Sequence, residues 1–228
     1  NMLDSIIDGL YITLSTLGLT LLLELLSLTH VYRFFKRNGG KNIYLKSIGY
    51  TVFNNLILGT SSYVIFTYLF LNDNEKNYMF GKQIHLFFET LLLLFIQSVG
   101  YYFVHKLMHT KRFYFMHKFH HEYGQIVIPM AANAVTIYEY VFAYLMPFII
   151  GIILVRPDKY SLKFAIYCVS YTNLLIHTPF LLEEPIIGYL KAIPSFFVKP
   201  QDHFEHHSKL NKNFSAPIFN IDYINKNL

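Results

Sequence analysis

Charged residues are scarce in this chain of 228 residues: lysine, arginine, aspartate and glutamate together make up 14% of it, while hydrophobic residues make up 54%. Soluble domains carry about 25% charged residues, so this composition excludes an ordinary water-soluble domain as well as a disordered chain. The single cysteine, Cys168, excludes an intrachain disulfide, and its apolar surroundings indicate a small buried hydrophobe. We therefore expect one membrane-embedded domain that covers residues 1–228.

Proline is absent from the first 128 residues, and all eight prolines lie at Pro129 or later. Long uninterrupted helices are therefore expected in the first half of the chain and more broken structure in the second. The first apolar run has no small-residue cleavage site, so we interpret it as a spanning helix and not as a signal peptide.

Apolar runs of about 20 residues, the length that crosses a bilayer as a helix, occur four times. They are residues 6–28, 48–71, 84–104 and 135–155. A shorter fifth stretch, residues 164–182, contains Pro179 and is interpreted as a full span, a half-span or a kinked helix. The predicted fold is all-α: a polytopic membrane helical bundle with four spans and this fifth stretch.

Basic residues outnumber acidic ones by 19 to 14, and they lie between the apolar runs. This pattern favours contact with anionic lipid headgroups and gives no reason to expect a nucleic acid partner. The loop 30–46 carries five lysines and arginines, which predicts a cytosolic location for it. The alternation of spans then places residues 106–125 in the cytosol as well, as part of a cytosolic helical cap.

Histidine is the unusual residue, because eight of the eleven histidines lie in three windows of five residues. Residues three or four apart share one face of a helix, so the imidazoles of each window can point in one direction. A bend near residues 110–112 is needed to bring the first two windows to one centre, since in a straight helix they would lie about 12 Å apart. The windows contribute His105 and His109; His117, His120 and His121; and His203, His206 and His207.

Neutral imidazole is the commonest metal ligand in proteins and suits iron, zinc, copper and nickel. One HxxxH pair alone would favour an ordinary surface or core interpretation, but two HxxHH windows beside it indicate a metal centre. Eight ligands are too many for one ion, so the sequence predicts a two-metal site.

Further candidates lie near these windows. His177 is either a ninth ligand or a buried, hydrogen-bonded histidine, and Asn173 lies one turn before it as a ligand or a partner of a ligand. Ligating histidines commonly donate their second N–H to carboxylates, which makes candidates of Glu139, Asp202 and Glu205. We expect His85 to pair with Glu89 at the opposite membrane face.

In their order HKLMH, HKFHH, NLLIH and DHFEHH, these motifs resemble the fatty acid hydroxylase/sterol desaturase superfamily of integral membrane di-iron oxygenases. The resemblance covers residues 101–220, about half of the chain. It implies that all nine histidines hold a di-metal centre. Many members have a histidine where this chain has Asn173. Members also often carry a His-Pro pair before a glutamate in the segment after the second window, whereas residues 133–139 of this chain keep the acid, Glu139, and lack the pair. Substrate positioning is therefore expected to differ from that in the sterol enzymes.

The resemblance also implies a function: O2-dependent hydroxylation or desaturation of a C–H bond in a membrane lipid such as a sterol, a fatty acyl chain or a sphingoid base. Its cofactors would be two iron ions, with zinc as an alternative occupant. The electrons must come from outside, from a cytochrome b5-type or other donor, because the sequence has no dinucleotide, haem or flavin motif. The expected location is the endoplasmic reticulum membrane, with the site facing the cytosol.

Two other classes of protein bind metal through histidines. A membrane metal transporter or metal-binding protein without oxygenase activity would place its ligands along a pathway near the middle of the bilayer. A hydrolytic zinc enzyme is the third alternative. The windows gather at one predicted membrane face, which counts against transport.

Overall fold

The computed structural model describes residues 2–69, 71 and 81–227, and within these ranges the chain is helical and contains no strand. The predicted all-α fold is therefore confirmed for the described residues. One isolated antiparallel bridge joins Phe197 to Phe219. The α-helices are α1 (Met2–Leu26), α2 (Leu28–Lys36), α3 (Gly40–Val52), α4 (Thr60–Leu69), α5 (Lys82–Met108), α6 (Tyr114–His121), α7 (Ile137–Glu139), α8 (Met146–Val155), α9 (Lys159–Ile176), α10 (Ile186–Lys191), α11 (Pro200–Ser208) and α12 (Ile221–Asn227).

Three helical segments within the described residues are long and apolar enough to cross a membrane. They are α1, α5 and the segment Ile137–Val155, in which a π-helical stretch, Tyr140–Leu145, connects α7 to α8. The predicted first, third and fourth spans fall largely inside these segments. Pro147 is the second residue of α8, two residues after the π-helical stretch ends, and such local departures from α-helical geometry are common near proline.

The other two predicted spans are helical but less apolar. Residues 48–69 belong to a continuous helical stretch from α3 through a π-helical segment, Phe53–Gly59, to α4, while residues 70 and 72–80 lie outside the described residues. The fifth stretch corresponds to α9, which begins earlier than predicted because the Asp158 carboxylate caps it, accepting from the Tyr160 N–H at 2.8 Å. Full crossing by these two helices stays a prediction.

The long helices pack side by side, α1 against α4 and α9, and α5 against α8 and α9. The starts of α1, α5 and α9 lie at one end of the bundle. There Asp8 pairs with Lys163 at 2.5 Å, and His85 pairs with Glu89 at 3.0 Å as the sequence predicts. The carboxyl ends of α1, α5 and α9 therefore come together at the opposite end of the bundle.

Arg37, in the turn after α2, contacts the carboxyl end of α6. The Arg37 guanidinium donates to the backbone carbonyls of Glu122 and of Tyr123, the latter at 2.7 Å. The last carbonyls of a helix have no intrahelical partner, and a cation beside them also interacts favourably with the helix dipole. Arg37 therefore stabilises the carboxyl end of α6.

Two more side chains from the first four helical segments bind the backbone of the segment between α6 and α7. The Glu24 carboxylate accepts from the Met130 N–H at 2.8 Å, and the Asn54 side chain donates to the Val135 carbonyl at 2.7 Å. Both side chains are buried, where an unpaired backbone group would cost about 1–3 kcal/mol. This irregular segment is therefore fixed in place from the N-terminal third of the chain.

Close packing of α5 against α8 depends on Gly100. A Cβ atom at this position would lie 2.8 Å from the Cβ of Pro147, closer than two such carbons approach without a shift of the backbone. Gly18 of α1 is different, because a Cβ there would meet nothing within 4 Å.

We predict that Gly100→Ala destabilises the protein by about 1–3 kcal/mol, the usual cost of overpacking, because it forces α5 away from α8. The matched Gly18→Ala change should be neutral or slightly stabilising, since alanine is the better helix former. Thermal unfolding of both variants in detergent, followed by far-ultraviolet circular dichroism, measures the difference. Equal melting temperatures would contradict the packing described for Gly100.

Candidate metal centre

Nine histidines form two adjoining groups at the end of the bundle where α5 and α9 end. Within each group, every histidine offers a ring nitrogen that lies within 4.8 Å of those of the other members. The five-histidine group consists of His105, His109, His117, His121 and His206, and the four-histidine group consists of His120, His177, His203 and His207.

The first two windows meet because the chain turns sharply between α5 and α6. α5 ends at Met108, His109 is its C-cap residue, and residues 109–113 form turns before α6 begins at Tyr114. The bend predicted near residues 110–112 is therefore confirmed. It places α6 beside the last turn of α5, and the Nε2 atoms of His105 and His117 lie 2.9 Å apart.

Each HxxHH window divides its imidazoles between the two groups. On α6, His117 and His121 belong to the five-histidine group and His120 to the other. On α11 the division is reversed, because only His206 belongs to the five-histidine group. In each window the histidines at i and i+4 belong to one group, and the histidine at i+3 belongs to the other group. This division differs from the prediction that all imidazoles of a window point in one direction.

The Nε2 atoms converge in both groups. In the five-histidine group, the Nε2 atom of His121 lies 2.9 Å from that of His117 and 3.2 Å from that of His109. In the four-histidine group, the Nε2 atom of His203 lies 2.8 Å from that of His177 and 3.2 Å from that of His207. These atoms come from four separate helical elements and their flanks, so tertiary packing brings them together.

These separations fit the spacing of ligands around a metal ion. Nitrogen ligands about 2.0–2.1 Å from an ion lie about 2.9 Å apart at right angles and about 3.4 Å apart in a tetrahedron. Nitrogen lone pairs that face one another at such distances repel unless a cation or a proton lies between them. The donor set of both groups therefore fits a bound metal ion.

Four imidazoles are oriented by hydrogen bonds from their other ring nitrogen. The Nδ1–H of His105 donates to the Phe214 carbonyl at 2.7 Å, and that of His206 donates to the Lys212 carbonyl at 2.8 Å. An Nδ1–H donated to an oxygen leaves the lone pair of the ring on Nε2, the atom that faces the group. The Nε2 atom of His206 is buried and has no hydrogen-bond partner among the described residues.

Glu139 and Asn173 orient the other two of these four imidazoles. The Glu139 carboxylate, 1% exposed, accepts from the Nδ1–H of His117 at 2.7 Å. Asn173 acts through its backbone, because its carbonyl oxygen accepts from the Nδ1–H of His177 at 2.6 Å. Both predicted candidates therefore contact a histidine, although the Asn173 side chain itself points elsewhere and donates to the Ala132 carbonyl at 2.8 Å.

Asp202 and Glu205, the other predicted carboxylates, contact no histidine by hydrogen bonds among the described residues. The Asp202 carboxylate accepts from the Lys199 N–H at 3.2 Å and so belongs to the capping box of α11. Glu205 pairs with Lys209 at 3.0 Å and with Lys212 at 2.5 Å on the protein surface. Their positions in the first and second turns of α11 direct them away from the imidazoles.

Burial keeps most of these imidazoles in the neutral form. Desolvation, reinforced by neighbouring histidines, lowers the pKa of His109 to about 3 and that of His121 to about 2. Desolvation likewise lowers the pKa of His177 to about 4, although its hydrogen bond to the Asn173 carbonyl opposes the shift. At neutral pH these rings are therefore uncharged, which is the form that binds metal ions.

The carbonyls of Lys212 and Phe214 could not be predicted from side-chain motifs, because every residue has the same backbone oxygen. They lie in the tail loop, which is anchored by the Val198 N–H donating to the Ile218 carbonyl at 2.8 Å. Thr136 had a detectable signal, since Thr136-x-x-Glu139 has the pattern of a helix cap. Its side chain accepts from the Glu139 N–H at 3.2 Å and so fixes the start of α7.

A narrow cavity of about 80 Å³ lies between the helices and extends toward this end of the bundle. Its apolar walls include Ile12, Phe66 and Phe148. On α9 the lining runs from Ile166 to Asn173, about 10 Å of helix at 1.5 Å per residue. The cavity thus extends from the middle of the bundle to within one helical turn of His177.

Comparison with known proteins agrees with this site. A family model described as fatty acid hydroxylase matches residues 90–226, a segment that includes all nine histidines of the two groups. The chain is also 28% identical over 118 residues to the fatty acid hydroxylase ahd1 of Mycosarcoma maydis.

That alignment covers 50% of this chain and 30% of the length of the relative, so the chain spans about a third of that protein. No solved structure matches the chain. Because the family model covers more than half of the 228 residues, including both histidine groups, the chain belongs to the fatty acid hydroxylase family.

Proposed function

We propose that this protein is an O2-dependent hydroxylase or desaturase of a membrane lipid that works with two metal ions, with iron as the working metal. The observation that carries this proposal is the pair of adjoining histidine groups, in which the Nε2 atoms converge at distances suited to metal ligands. The family membership supports a lipid as the substrate, and the cavity beside the groups supplies an apolar binding space.

Each group would hold one ion through its own imidazoles, nine ligands in all. Two bound irons would supply the activation of O2 that attack on an unactivated C–H bond requires. Hydroxylation inserts one oxygen atom into the C–H bond and reduces the other to water, which consumes two electrons and two protons. Desaturation removes two hydrogens instead and releases two molecules of water for the same two electrons and two protons.

The residues of the chain prepare the site for this chemistry. Neutral imidazoles bring no charge of their own, and the Glu139 carboxyl group contacts the Nδ1 of His117 at 2.7 Å. The backbone carbonyls that orient His105, His177 and His206 fix the direction of each lone pair before an ion arrives. Burial of the rings excludes bulk water, which would otherwise divert an oxidising centre from its substrate.

The electrons would come from a separate donor such as a cytochrome b5-type protein. Exposed basic residues lie beside the histidine groups, at Lys111, Arg112 and Lys118, and suit an acidic partner surface. We propose that this end of the bundle faces the cytosol at the endoplasmic reticulum membrane, as the distribution of lysine and arginine indicates. A sterol, a fatty acyl chain and a sphingoid base all remain candidate substrates within this proposal.

A metal transporter is the alternative of a different class. Its ligands would lie along a path through the middle of the bundle. Here the ligands gather where α5 and α9 end, beside the turns and the tail loop, and this arrangement favours a fixed catalytic centre.

Metal analysis combined with oxygen uptake tests the proposal as a whole. The purified, iron-reconstituted protein should contain about two irons per chain and should consume O2 when a reductant and lipid extract are both supplied. Inductively coupled plasma mass spectrometry and an oxygen electrode measure the two quantities. A protein that binds zinc alone and takes up no oxygen when reduced would contradict the oxygenase proposal and favour a hydrolytic or transport role.

His206→Ala should abolish product formation while the protein still inserts into the membrane, because it removes one ligand of the five-histidine group. Mass spectrometry of lipids from cells that express either protein should show a gain of one oxygen, or a loss of two hydrogens, in one lipid class with the unaltered protein only. His30→Ala is the matched control and should retain activity, since His30 lies away from both groups and faces Glu183 at 3.8 Å. Product made by His206→Ala at the normal rate would show that His206 is not a ligand.

Glu139→Ala should weaken iron binding about 10–100-fold, the usual loss when the partner of a ligating histidine is removed. Competition with a coloured iron chelator measures the affinity. Glu122→Gln is a control at another acid beside the second histidine window, because no hydrogen bond among the described residues joins its carboxylate to a histidine. Equal iron retention by both variants would mean that Glu139 does not support a metal ligand.

A further inference from the structure

Two amides at the metal end of the cavity have buried atoms without hydrogen-bond partners. Asn173 is 2% exposed, and while its Nδ2 donates to the Ala132 carbonyl, its Oδ1 accepts from nothing among the described residues. The Nδ2 of Asn133 is likewise buried and without a partner among them. Both residues line the cavity. Leaving such an atom unpaired is unfavourable, so a ligand that satisfies both atoms is favoured.

The two amides are neighbours in space. Asn133 directly follows Ala132, the residue whose carbonyl binds the Asn173 side chain at 2.8 Å. Together they present one acceptor, the Asn173 Oδ1, and one donor, the Asn133 Nδ2. The hydrogen bond to Ala132 identifies which end of the Asn173 amide is the nitrogen and which is therefore the free oxygen.

Polar side chains elsewhere in the cavity differ from this pair. The Thr13 hydroxyl, which also lines the cavity, already donates to the Asn55 carbonyl at 2.9 Å. The remaining wall toward the middle of the bundle is formed largely by apolar residues such as Ile12, Phe66 and Phe148. The cavity therefore combines a largely apolar section with two amides at its metal end whose buried atoms have no partner among the described residues.

We propose that Asn133 and Asn173 bind a polar group of the lipid substrate that both donates and accepts a hydrogen bond, namely a hydroxyl or a secondary amide. The O–H or N–H of this group donates to the Asn173 Oδ1, and its oxygen accepts from the Asn133 Nδ2, while the hydrocarbon chain occupies the apolar section. This inference rests on the proposed function, because only an enzyme that acts on lipids would bind such a lipid as its substrate. It goes beyond that function by selecting lipids with a donor group over esters, ethers and plain hydrocarbons.

The position of the pair also relates the polar group to the histidines. Asn173 carries the carbonyl that orients His177, and one helical turn separates the two residues. A lipid anchored at Asn173 is therefore held next to the four-histidine group, with its chain directed away from it.

Binding of matched lipid probes tests the proposal without any turnover. Purified protein in detergent is loaded with tritiated hexadecan-1-ol, which is then displaced by unlabelled probes. One pair of probes is hexadecan-1-ol and its methyl ether, and the other is N-methylhexadecanamide and methyl hexadecanoate. Within each pair the chain is the same and only one member has a hydrogen-bond donor. We expect the donor member of at least one pair to bind about tenfold more tightly than its partner, and the pair that shows the preference identifies the hydroxyl or the amide.

The two asparagines should respond differently to substitution. Asn173→Leu removes the acceptor and should reduce the tenfold preference to about one, whereas Asn133→Leu removes the donor and should weaken both members of a pair by a similar factor. Thr20→Val is the matched control and should leave both the affinity and the preference unchanged, because Thr20 does not line the cavity and its hydroxyl donates to the Thr16 carbonyl within α1 at 2.8 Å. Size-exclusion profiles and melting temperatures show whether each variant is folded, and the comparison of probes in the unaltered protein needs no variant at all.

Equal binding of both members in both pairs by the unaltered protein would overturn the proposal, as would a folded Asn173→Leu protein that retains the preference. The experiment is independent of oxygenase activity. A donor preference in a protein that consumes no oxygen would support the binding site and refute the proposed function. Lipid oxygenation without any donor preference would support the proposed function and refute the binding site.

Discussion

The constraint on which this structure depends is the convergence of nitrogen lone pairs from nine imidazoles in a buried space. Uncharged rings whose Nε2 atoms lie 2.8–3.4 Å apart repel one another, so each must be held in place by the surrounding fold. The turn after α5, the division of α6 and α11 between the two groups and the anchored tail loop all serve this requirement. Where a side chain assists, as Glu139 does for His117, that residue is itself positioned by a helix cap.

The bundle provides the place where these rings can meet. Because α1, α5 and α9 run in the same direction, their carboxyl ends lie together, and the first and third histidine motifs are at two of these ends. The cavity extends along α1 and α9, which brings an apolar space to within one helical turn of His177. Asn173 belongs to both, since its backbone carbonyl orients His177 and the residue lines the cavity.

Much of the site could be predicted from the sequence because helical spacing is a local property. The three windows follow from intervals of three and four residues, and the bend follows from the seven residues that separate the first two windows. Glu139 is a candidate for a different reason, because ligating histidines commonly donate to carboxylates and an unpaired acid in a span is costly. The division of His120 from His121 could not be predicted, since it depends on how α6 and α11 face each other. The hydrogen bonds to Lys212 and Phe214 could not be predicted either, because their acceptors are backbone oxygens, which do not depend on residue type. Asp202 and Glu205 show the limit of proximity in sequence, because adjacent positions on a helix point in different directions.

Arg37, Glu24 and Asn54 lie outside residues 90–226, yet each binds a backbone group between residues 122 and 135. The segment that the family model matches is therefore bound at three places by side chains from outside it. A chimera that joined residues 90–226 to foreign anchor helices would leave the end of α6 and the following loop with unpaired donors and acceptors. To work, the foreign helices would have to supply a cation, a carboxylate and an amide at matching depths, a stricter requirement than hydrophobic length alone.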